Sequence, residues 1–390
     1  MKRLLLATLT LVMVFAVAGF ATETRVMTLG DANGIVVDDA NIWMYPSTIL
    51  QHPNMAIGEF CMDSYGESYG WDMQSLGMHY AIGENGKVIG AYLKKMDYMD
   101  IYYLPNGVNI PGSVPNPDHR LDLFFGTPMG DNGLGVHLSY YNQSMSTDSD
   151  DDKTAVAATA FKLGVGMTFS ESTDVAAHFG MTMWTNEDDE GNAINEPDGN
   201  MTFDLGGRHF MELTDMYTAV PHAGFMFHSE GIKGEGMEDI KSTAMGIDVG
   251  WGTNFVPDDR ILCVGDFGIM YFNEKEEFTP DEGDASEVTY TDFVLPYFRL
   301  GIEGNVTDWW DVRLGATKYW HMYKLDFGDA GTYNEKYAST ETYLGSGFYF
   351  GNLTLDVQIN PDFVQYGPNF ISGYNESLAY RVSLLYNFGE

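Results

Sequence analysis

The chain has 390 residues, of which 44 are glycine and 14% are aromatic, and its formal net charge is −36. Such acidity excludes a nucleic-acid partner, because phosphate binding requires a basic surface. The aromatic and glycine content favours a β-rich chain with many turns. Beyond the N-terminal apolar run, no stretch of about 18 apolar residues occurs, so no transmembrane helix is predicted.

The first residues have the three-part pattern of a secretory signal peptide. A basic start at Lys2 and Arg3 is followed by an apolar run over 4–15 and by small residues up to Ala21. We therefore predict that residues 1–21 are a cleaved signal peptide of an exported protein. A retained anchor is disfavoured because the apolar run is short, and a lipoprotein because no cysteine follows that run.

Period-2 alternation of apolar and polar residues recurs from Asn54 to the C-terminus and predicts antiparallel β-strands with one apolar face. Clear examples cover residues 134–141, 161–170, 245–251 and 353–360. About five apolar positions on one face of a tilted strand span the ~25 Å apolar band of an outer-membrane barrel. Alternation alone also describes a soluble sandwich or propeller, so the connections have to discriminate between these classes.

The predicted connections alternate in length. Short turns such as 84–86, 130–132 and 305–307 separate longer polar segments, as is typical of outer-membrane barrels. We therefore predict an all-β fold: one transmembrane antiparallel β-barrel over residues 54–390 with roughly 14–16 strands. The longer segments, predicted as loops, are 62–73, 96–117, 143–153, 185–198, 229–238, 273–286, 321–340 and 361–375.

Tryptophans near strand ends predict two aromatic belts at the membrane interfaces, where amphipathic rings prefer to lie. Trp184 and Trp320 fall at long-loop ends, and Trp251, Trp309 and Trp310 fall at short-turn ends. The pattern implies the lipid of the bacterial outer membrane as the surroundings of the barrel.

The last strand resembles the C-terminal signal by which outer-membrane proteins are recognised for insertion. Its apolar face ends with Tyr386 and Phe388, and Arg381, Ser383 and Asn387 lie on the opposite face. The resemblance implies the barrel-insertion machinery as a partner.

No pattern of residues points to catalysis or to a cofactor. The nine histidines occur without a recognisable Ser–His or Asp–His signature, so we predict no enzyme activity and no cofactor. Acidic segments at 148–152, 187–190 and 274–287 are expected to be solvated external loops. The first lacks the glycine and distal glutamate of a calcium loop, and no metal site is predicted. Cys61 and Cys263 form one disulfide or remain two inert thiols, and we favour the thiols.

Residues 22–53 do not follow the strand pattern. Their motifs, in chain order, are Leu29-Gly30, Asp38-Asp39-Ala40, Trp43 and Tyr45-Pro46-Ser47. This segment resembles the N-terminal signature of FadL-like outer-membrane transporters for hydrophobic compounds, although the family has Asn-Pro-Ala where this chain has Tyr45-Pro46-Ser47. The resemblance implies an N-terminal plug in the lumen, with Asp38, Asp39, Trp43 and Pro46 as its candidate residues. The alternative is a periplasmic lead-in before the first strand.

Charged residues of both signs fall on the predicted inward face, where protein or water can pair or solvate them. They are either a selectivity lining or structural ion pairs, and Asp38 and Asp39 are expected to pair with cations among them. The candidates are Arg120, Asp122, His137, Lys162, Asp248, Arg299, Glu303, Arg313 and Arg381.

These features predict passive passage of small or hydrophobic solutes across the outer membrane. A FadL-like transporter would have a plugged lumen with an apolar pocket beneath its loops. A general cation-preferring diffusion porin would have an open lumen, and a structural or adhesive barrel would have a filled lumen without conductance. The sequence leaves the solute and the oligomeric state open.

Overall fold

The computed structural model describes residues 22–61, 75–93, 120–149, 152–187, 193–233, 239–280, 285–373 and 377–389. Within these ranges the chain forms one antiparallel β-sheet and several short helices. The strands are β1 (Met55–Cys61), β2 (Ser75–Ile82), β3 (Lys87–Leu93), β4 (Arg120–Met129), β5 (Asn132–Ser149), β6 (Asp152–Phe169), β7 (Thr173–Glu187), β8 (Ala193–Pro197), β9 (Met201–His209), β10 (Met211–Thr214), β11 (Tyr217–Lys233), β12 (Asp239–Asp258), β13 (Ile261–Thr279), β14 (Ser286–Thr307), β15 (Trp310–Asp326), β16 (Thr332–Phe350), β17 (Leu353–Ile359) and β18 (Ala379–Asn387). The α-helices are α1 (Glu23–Thr28), α2 (Pro361–Tyr366) and α3 (Asn369–Ser372), and the 3₁₀ helices are η1 (Asp39–Trp43), η2 (Pro46–Gln51) and η3 (Gly328–Ala330).

The sheet closes into a barrel, because β1 pairs with both β18 and β2. Strands that follow one another in sequence are neighbours around the wall. The short strands β8, β9 and β10 follow one another along the same side of β11 and together form one span. The 18 strands therefore make a barrel of 16 spans. This number lies within the predicted range. Within the described residues every span is paired with a neighbour on each side over part of its length, as a membrane-spanning sheet requires.

The wall is apolar outside and polar inside. In β4, the outward side chains of Leu121, Leu123 and Phe125 are exposed. The side chains of Arg120 and Asp122, which alternate with them, are buried within the barrel. This arrangement is the reverse of a soluble protein and matches a barrel whose outer face meets lipid.

The spans differ greatly in height. Strands β11 to β16 have 17 to 22 residues, whereas β17 has seven. The predicted loops 143–153, 273–286 and 321–340 are therefore mostly strand, and that prediction was wrong. Most residues of 332–342 are exposed, so both faces of the extended hairpin meet solvent and no apolar alternation is required there. In 185–198 and 229–238 strands likewise cover part of the segment.

Other predicted loops have different outcomes. The segment 361–375 contains α2 and α3. The predicted loops 62–73 and 96–117 lie outside the described residues, as does the predicted signal peptide 1–21. Part of each of the acidic segments 148–152, 187–190 and 274–287 also lies outside them, but Glu274 to Glu277 belong to β13. No helix in the described part of the chain is long and apolar enough to cross a membrane.

Four of the five tryptophans predicted for the aromatic belts lie on the outer face. Trp251, Trp309 and Trp320 are exposed, and Trp310 donates its indole N–H to Ser346 Oγ at 2.7 Å. Trp184 is only 3% exposed, and its placement in a belt was wrong. It alternates with the outward residues of β7 and therefore points into the lumen.

The C-terminal strand closes the barrel against β1. Leu384, Tyr386 and Phe388 are exposed on the outside, whereas Arg381 and Ser383 are buried inside. Recognition of this strand by the insertion machinery stays a prediction. Cys263 is a free thiol of intermediate exposure in β13, and the Cys61 side chain lies outside the described residues.

Residues 22–54 lie inside the barrel, and we call them the plug segment. Thr22 caps α1 by accepting a hydrogen bond from the Arg25 amide, and Asp38 caps η1 in a capping box with Asn41. Pro46 begins η2, a position that suits its fixed φ angle. This location contradicts the alternative of a periplasmic lead-in.

Candidate functional site

The plug segment contacts every one of the 16 spans of the wall. Its polar contacts run from Glu59 of β1 to Ser383 of β18, and its apolar residues pack into two clusters. One cluster joins Leu29 and Ile35 to Val220 of β11. The other joins its later residues to β1, β3, β4 and β18. The contacted residues lie toward the short-turn ends of their strands, so the segment fills that half of the lumen.

Glycines in the wall make room for the plug backbone. A Cβ atom at Gly135 would overlap the carbonyl of Pro46, and a Cβ at Gly315 would overlap the backbone of Gly30. Gly30 itself has a φ of +80°, and a Cβ there would lie 2.6 Å from the carbonyl oxygen of Leu300. Glycine is thus required on both sides of the interface, rather than only in the turns.

A buried ion network joins α1 to the wall. The Arg25 guanidinium donates to both Glu303 carboxylate oxygens at 2.7 Å. Arg313 donates to the same carboxylate at 2.6 Å and also to Asp356, which accepts a hydrogen bond from Thr22 at 2.9 Å. The carboxylates around the two arginines compensate their charges, which buried charges require.

Asp38 does not pair with a wall cation as expected. Asp38 lies 3.4 Å from Arg25 of the plug itself, because its role as the cap of η1 turns it toward α1. Burial raises the pKa of Asp38, and Arg25 opposes that shift. The wall cation Arg381 pairs instead with Glu23. Asp39 is buried in η1.

Trp43 anchors the plug on the opposite wall. Its ring packs edge-to-face against Tyr92 and Phe124, with centroids 5.0 Å away in each case, and against His137 at 5.4 Å. These geometries are the favourable ones for aromatic pairs. Pro46, the remaining plug candidate, lies over the Gly135 position described above.

The residues predicted to line the lumen all point inward, and most are paired. Asp122 lies 3.0 Å from both Arg120 and His137. Asp248 lies 3.8 Å from His222, and Arg299 lies 3.7 Å from Asp266. Lys162 is buried on the same face of β6. Glu303, Arg313 and Arg381 belong to the plug contacts already described.

One plug anchor escaped the sequence-based prediction. Arg208 donates to Asp174 at 2.8 Å and to the carbonyl of Val36 at 3.3 Å, and its guanidinium lies 4.7 Å from the centre of the Tyr45 ring. Asp174 also accepts a hydrogen bond from Thr168. The only signal in the sequence was that the alternation of two neighbouring strands places both Arg208 and Asp174 on inward-facing positions.

Above the plug, an aromatic wall lines the inner face of β13 to β16. Successive ring centroids in it are 4.5 to 6.2 Å apart. Much of it lies in segments predicted as loops, although Tyr319, His321 and Tyr323 alternate with period 2. Its members are Phe272, Tyr290, Tyr323 and Tyr333 in one row and Tyr297, Tyr319, His321 and Tyr337 in the other.

A closed barrel with an apolar outer face and a plugged polar lumen has the architecture of an outer-membrane β-barrel protein. No protein-family model matches the chain, and no curated protein matches it. Among the described residues, no group of three or more His, Cys, Asp or Glu side chains is placed to hold a metal ion. The lack of enzyme activity stays a prediction.

Several solved structures resemble the chain at low identity. CdiB from Acinetobacter baumannii is 10% identical with a TM-score of 0.39, and the match covers 86% of this chain and 59% of CdiB. The toluene transporter TodX from Pseudomonas putida is 9% identical with a TM-score of 0.38, over 95% of this chain and 99% of TodX. The ferric yersiniabactin uptake receptor FyuA from Yersinia pestis is 9% identical with a TM-score of 0.40, over 78% and 53%. The chain thus spans less than two thirds of CdiB and FyuA, and these likenesses say nothing about cargo.

Proposed function

We propose that the protein is an outer-membrane channel for passive passage of small or hydrophobic solutes, opened by movement of the plug segment. The observation that carries this proposal is that the plug contacts all 16 spans without supplying a strand to the wall. Displacing it would break none of the wall's pairings. An unfilled barrel of about 16 strands is wide enough for an aqueous channel.

The chemistry of the interface supports a displaceable plug. Arg25, Glu303 and Arg313 form buried ion pairs, whose Coulomb attraction is offset by the cost of removing charges from water. When the plug leaves, water solvates the same groups again. These ion pairs therefore fix the register of the plug while adding little net stability of their own.

The two alternatives make different demands on the lumen. A general diffusion porin requires an open lumen, and the plug in the short-turn half argues against it. A structural or adhesive barrel requires no opening at all. The FadL-like form of the proposed channel, which the N-terminal resemblance favours, fits a closed lumen with aromatic side chains above the plug.

A reversible lock on the plug tests the proposal. Ser47 Oγ of the plug lies 2.8 Å from Thr168 Oγ1 of β6, so cysteines at these two positions are placed to form a disulfide. The double variant Ser47→Cys/Thr168→Cys is made with Cys61→Ser and Cys263→Ser. The swelling rate of proteoliposomes in isosmotic arabinose is measured before and after oxidation.

We expect slow swelling in the reduced protein and none after oxidation, with recovery on addition of a thiol reductant. The single variant Ser47→Cys in the same background is the control, and its swelling rate should be the same with and without the oxidant. Equal swelling in the oxidised and reduced double variant would show that solutes do not need plug movement. No swelling in any form, including the protein without residues 22–54, would remove the channel function itself.

A further inference from the structure

The aromatic wall has a one-sided charge distribution. On the inward positions of β13 to β16 from the level of Arg299 upward, the described residues include five carboxylates and, apart from Arg299, no lysine or arginine. The alternation of these strands places the carboxylates beside the rings. They are Glu274, Glu276, Asp292, Glu335 and Glu341.

The lysines of the same strands point the other way. Lys275 bonds Glu277 and Glu287 on the outer face, each at 2.8 Å. Lys318 lies 5.4 Å from the centre of the Trp320 ring, which is also outside. Because the carboxylates point inward and the lysines outward, the side of the lumen formed by β13 to β16 above the plug is negatively charged.

Rings and carboxylates facing one space attract one class of solute. The faces of aromatic rings carry negative charge and attract cations, most strongly when water is excluded. Carboxylates add to that attraction, while the apolar rings cover the body of an organic molecule. An anion of the same shape meets only repulsion, and a neutral ring gains the apolar contact alone.

The base of the aromatic wall meets the plug. Arg299 lies over the Tyr297 ring at 5.1 Å and donates to the Tyr319 hydroxyl at 3.3 Å. Beside it, Gly30 of the plug approaches the wall so closely that a Cβ there would lie 2.6 Å from the carbonyl oxygen of Leu300. A solute that descends the rings therefore arrives at a contact between wall and plug.

We propose that the aromatic wall binds organic cations, that is, ammonium groups carrying an apolar or aromatic body, and delivers them to the plug where Gly30 lies against Leu300. That such cations are then transported rests on the proposed channel function. Their binding above the plug does not, because the rings and carboxylates are in place with the plug seated.

Calorimetric titration of the full chain, folded in detergent micelles, tests the binding. Three probes share one ring: benzyltrimethylammonium, which is cationic, benzyl alcohol, which is neutral, and benzoate, which is anionic. We expect the cation to bind about tenfold more tightly than the neutral probe, the size of one cation–π contact. Benzoate should give no measurable binding.

Two variants on opposite faces locate the site. Tyr323→Leu removes a ring whose neighbours are Tyr290 and Tyr333, and it should weaken binding of the cation roughly tenfold. Tyr271→Leu removes a ring from the outer face of β13 and is the matched control. Glu335→Gln should weaken binding of the cation but not of benzyl alcohol.

Equal affinity for all three probes would overturn the proposal, because it would leave only nonspecific apolar binding. Equal loss in Tyr323→Leu and Tyr271→Leu would also overturn it, since the probe would then be in the micelle or on the outer face. If the cation binds but arabinose does not pass through the reduced lock variant, the proposed channel function is wrong and the binding site stands. If arabinose passes but the cation does not bind, the binding site is wrong and the channel function stands.

Discussion

The two halves of the lumen differ in what their inward positions carry. In the short-turn half, glycines such as Gly135 and Gly315 and paired ions such as Arg25 and Glu303 receive a folded segment of chain. In the long-loop half, the inward positions of β13 to β16 carry aromatic rings and an excess of negative charge. Period-2 alternation builds both halves, and the inward residue types decide whether chain or solute occupies the space.

Loss of a plug charge should disturb the short-turn half most. In Arg25→Leu the Glu303 carboxylate loses its plug partner, and we expect the free energy of plug docking to fall by about 3–5 kcal/mol. Limited proteolysis of the plug segment measures the loss as faster cleavage. Arg260→Leu at an exposed turn is the control. Unchanged cleavage in Arg25→Leu would show that the ion network does not hold the plug.

A small steric change should have the next largest effect. Gly135→Ala forces a methyl group against the Pro46 carbonyl, and we expect docking to weaken by about 1–3 kcal/mol. Gly304→Ala is the matched control, because no atom lies within 4 Å of a Cβ at that wall position. Cleavage rates that rise equally in both variants would point to damage to the wall and away from plug contact.

Acid should loosen the same half through His52. Burial lowers the pKa of His52 to about 3, so the seated plug holds it neutral. Because the pKa of His52 in the seated plug lies below its ordinary value of 6.5, the contribution of His52 to docking is complete above pH 6.5 and is lost as the pH falls toward 3. The loss is at most about 1.4 kcal/mol for each pH unit in that window. The His52→Asn variant should lose this part of the pH dependence of plug cleavage. Identical pH profiles of cleavage in the variant and the unaltered protein would contradict the role of His52.

The exposed ion pairs of the long-loop half should contribute least. Lys275→Ala removes a solvated link to Glu277 and Glu287, and we expect neither the thermal transition nor plug cleavage to change. Differential scanning calorimetry checks the first and proteolysis the second. A measurable loss would mean that the tall hairpins, and not only the plug, hold the structure together.

The barrel wall was predictable because its residues obey a local rule. Alternation over 134–141 and 161–170 marked strands that the structure contains, and Glu303 and Arg313 fell on the inward face by parity. The same parity was the evidence against Trp184 as a belt residue, because it shares a face with His178 and Thr182. The prediction relied on the position of Trp184 near a strand end and was wrong for that reason.

The remaining features depend on contacts that local sequence does not encode. The height of β16 was missed because solvent covers both faces of its extension. Partners such as Arg25 and Glu303 are hundreds of residues apart, so only the closed barrel brings them together. The plug was indicated by a family resemblance and by no physical signal of its own.

The most direct test of the plugged lumen is single-channel conductance in a planar bilayer, for the full chain and for the chain without residues 22–54. Heat-dependent electrophoretic mobility would confirm that both barrels are folded. We expect the full chain to be closed apart from brief openings, and the truncated chain to conduct steadily. Steady conductance of the same size in both would contradict the account, because the plug would then not close the lumen.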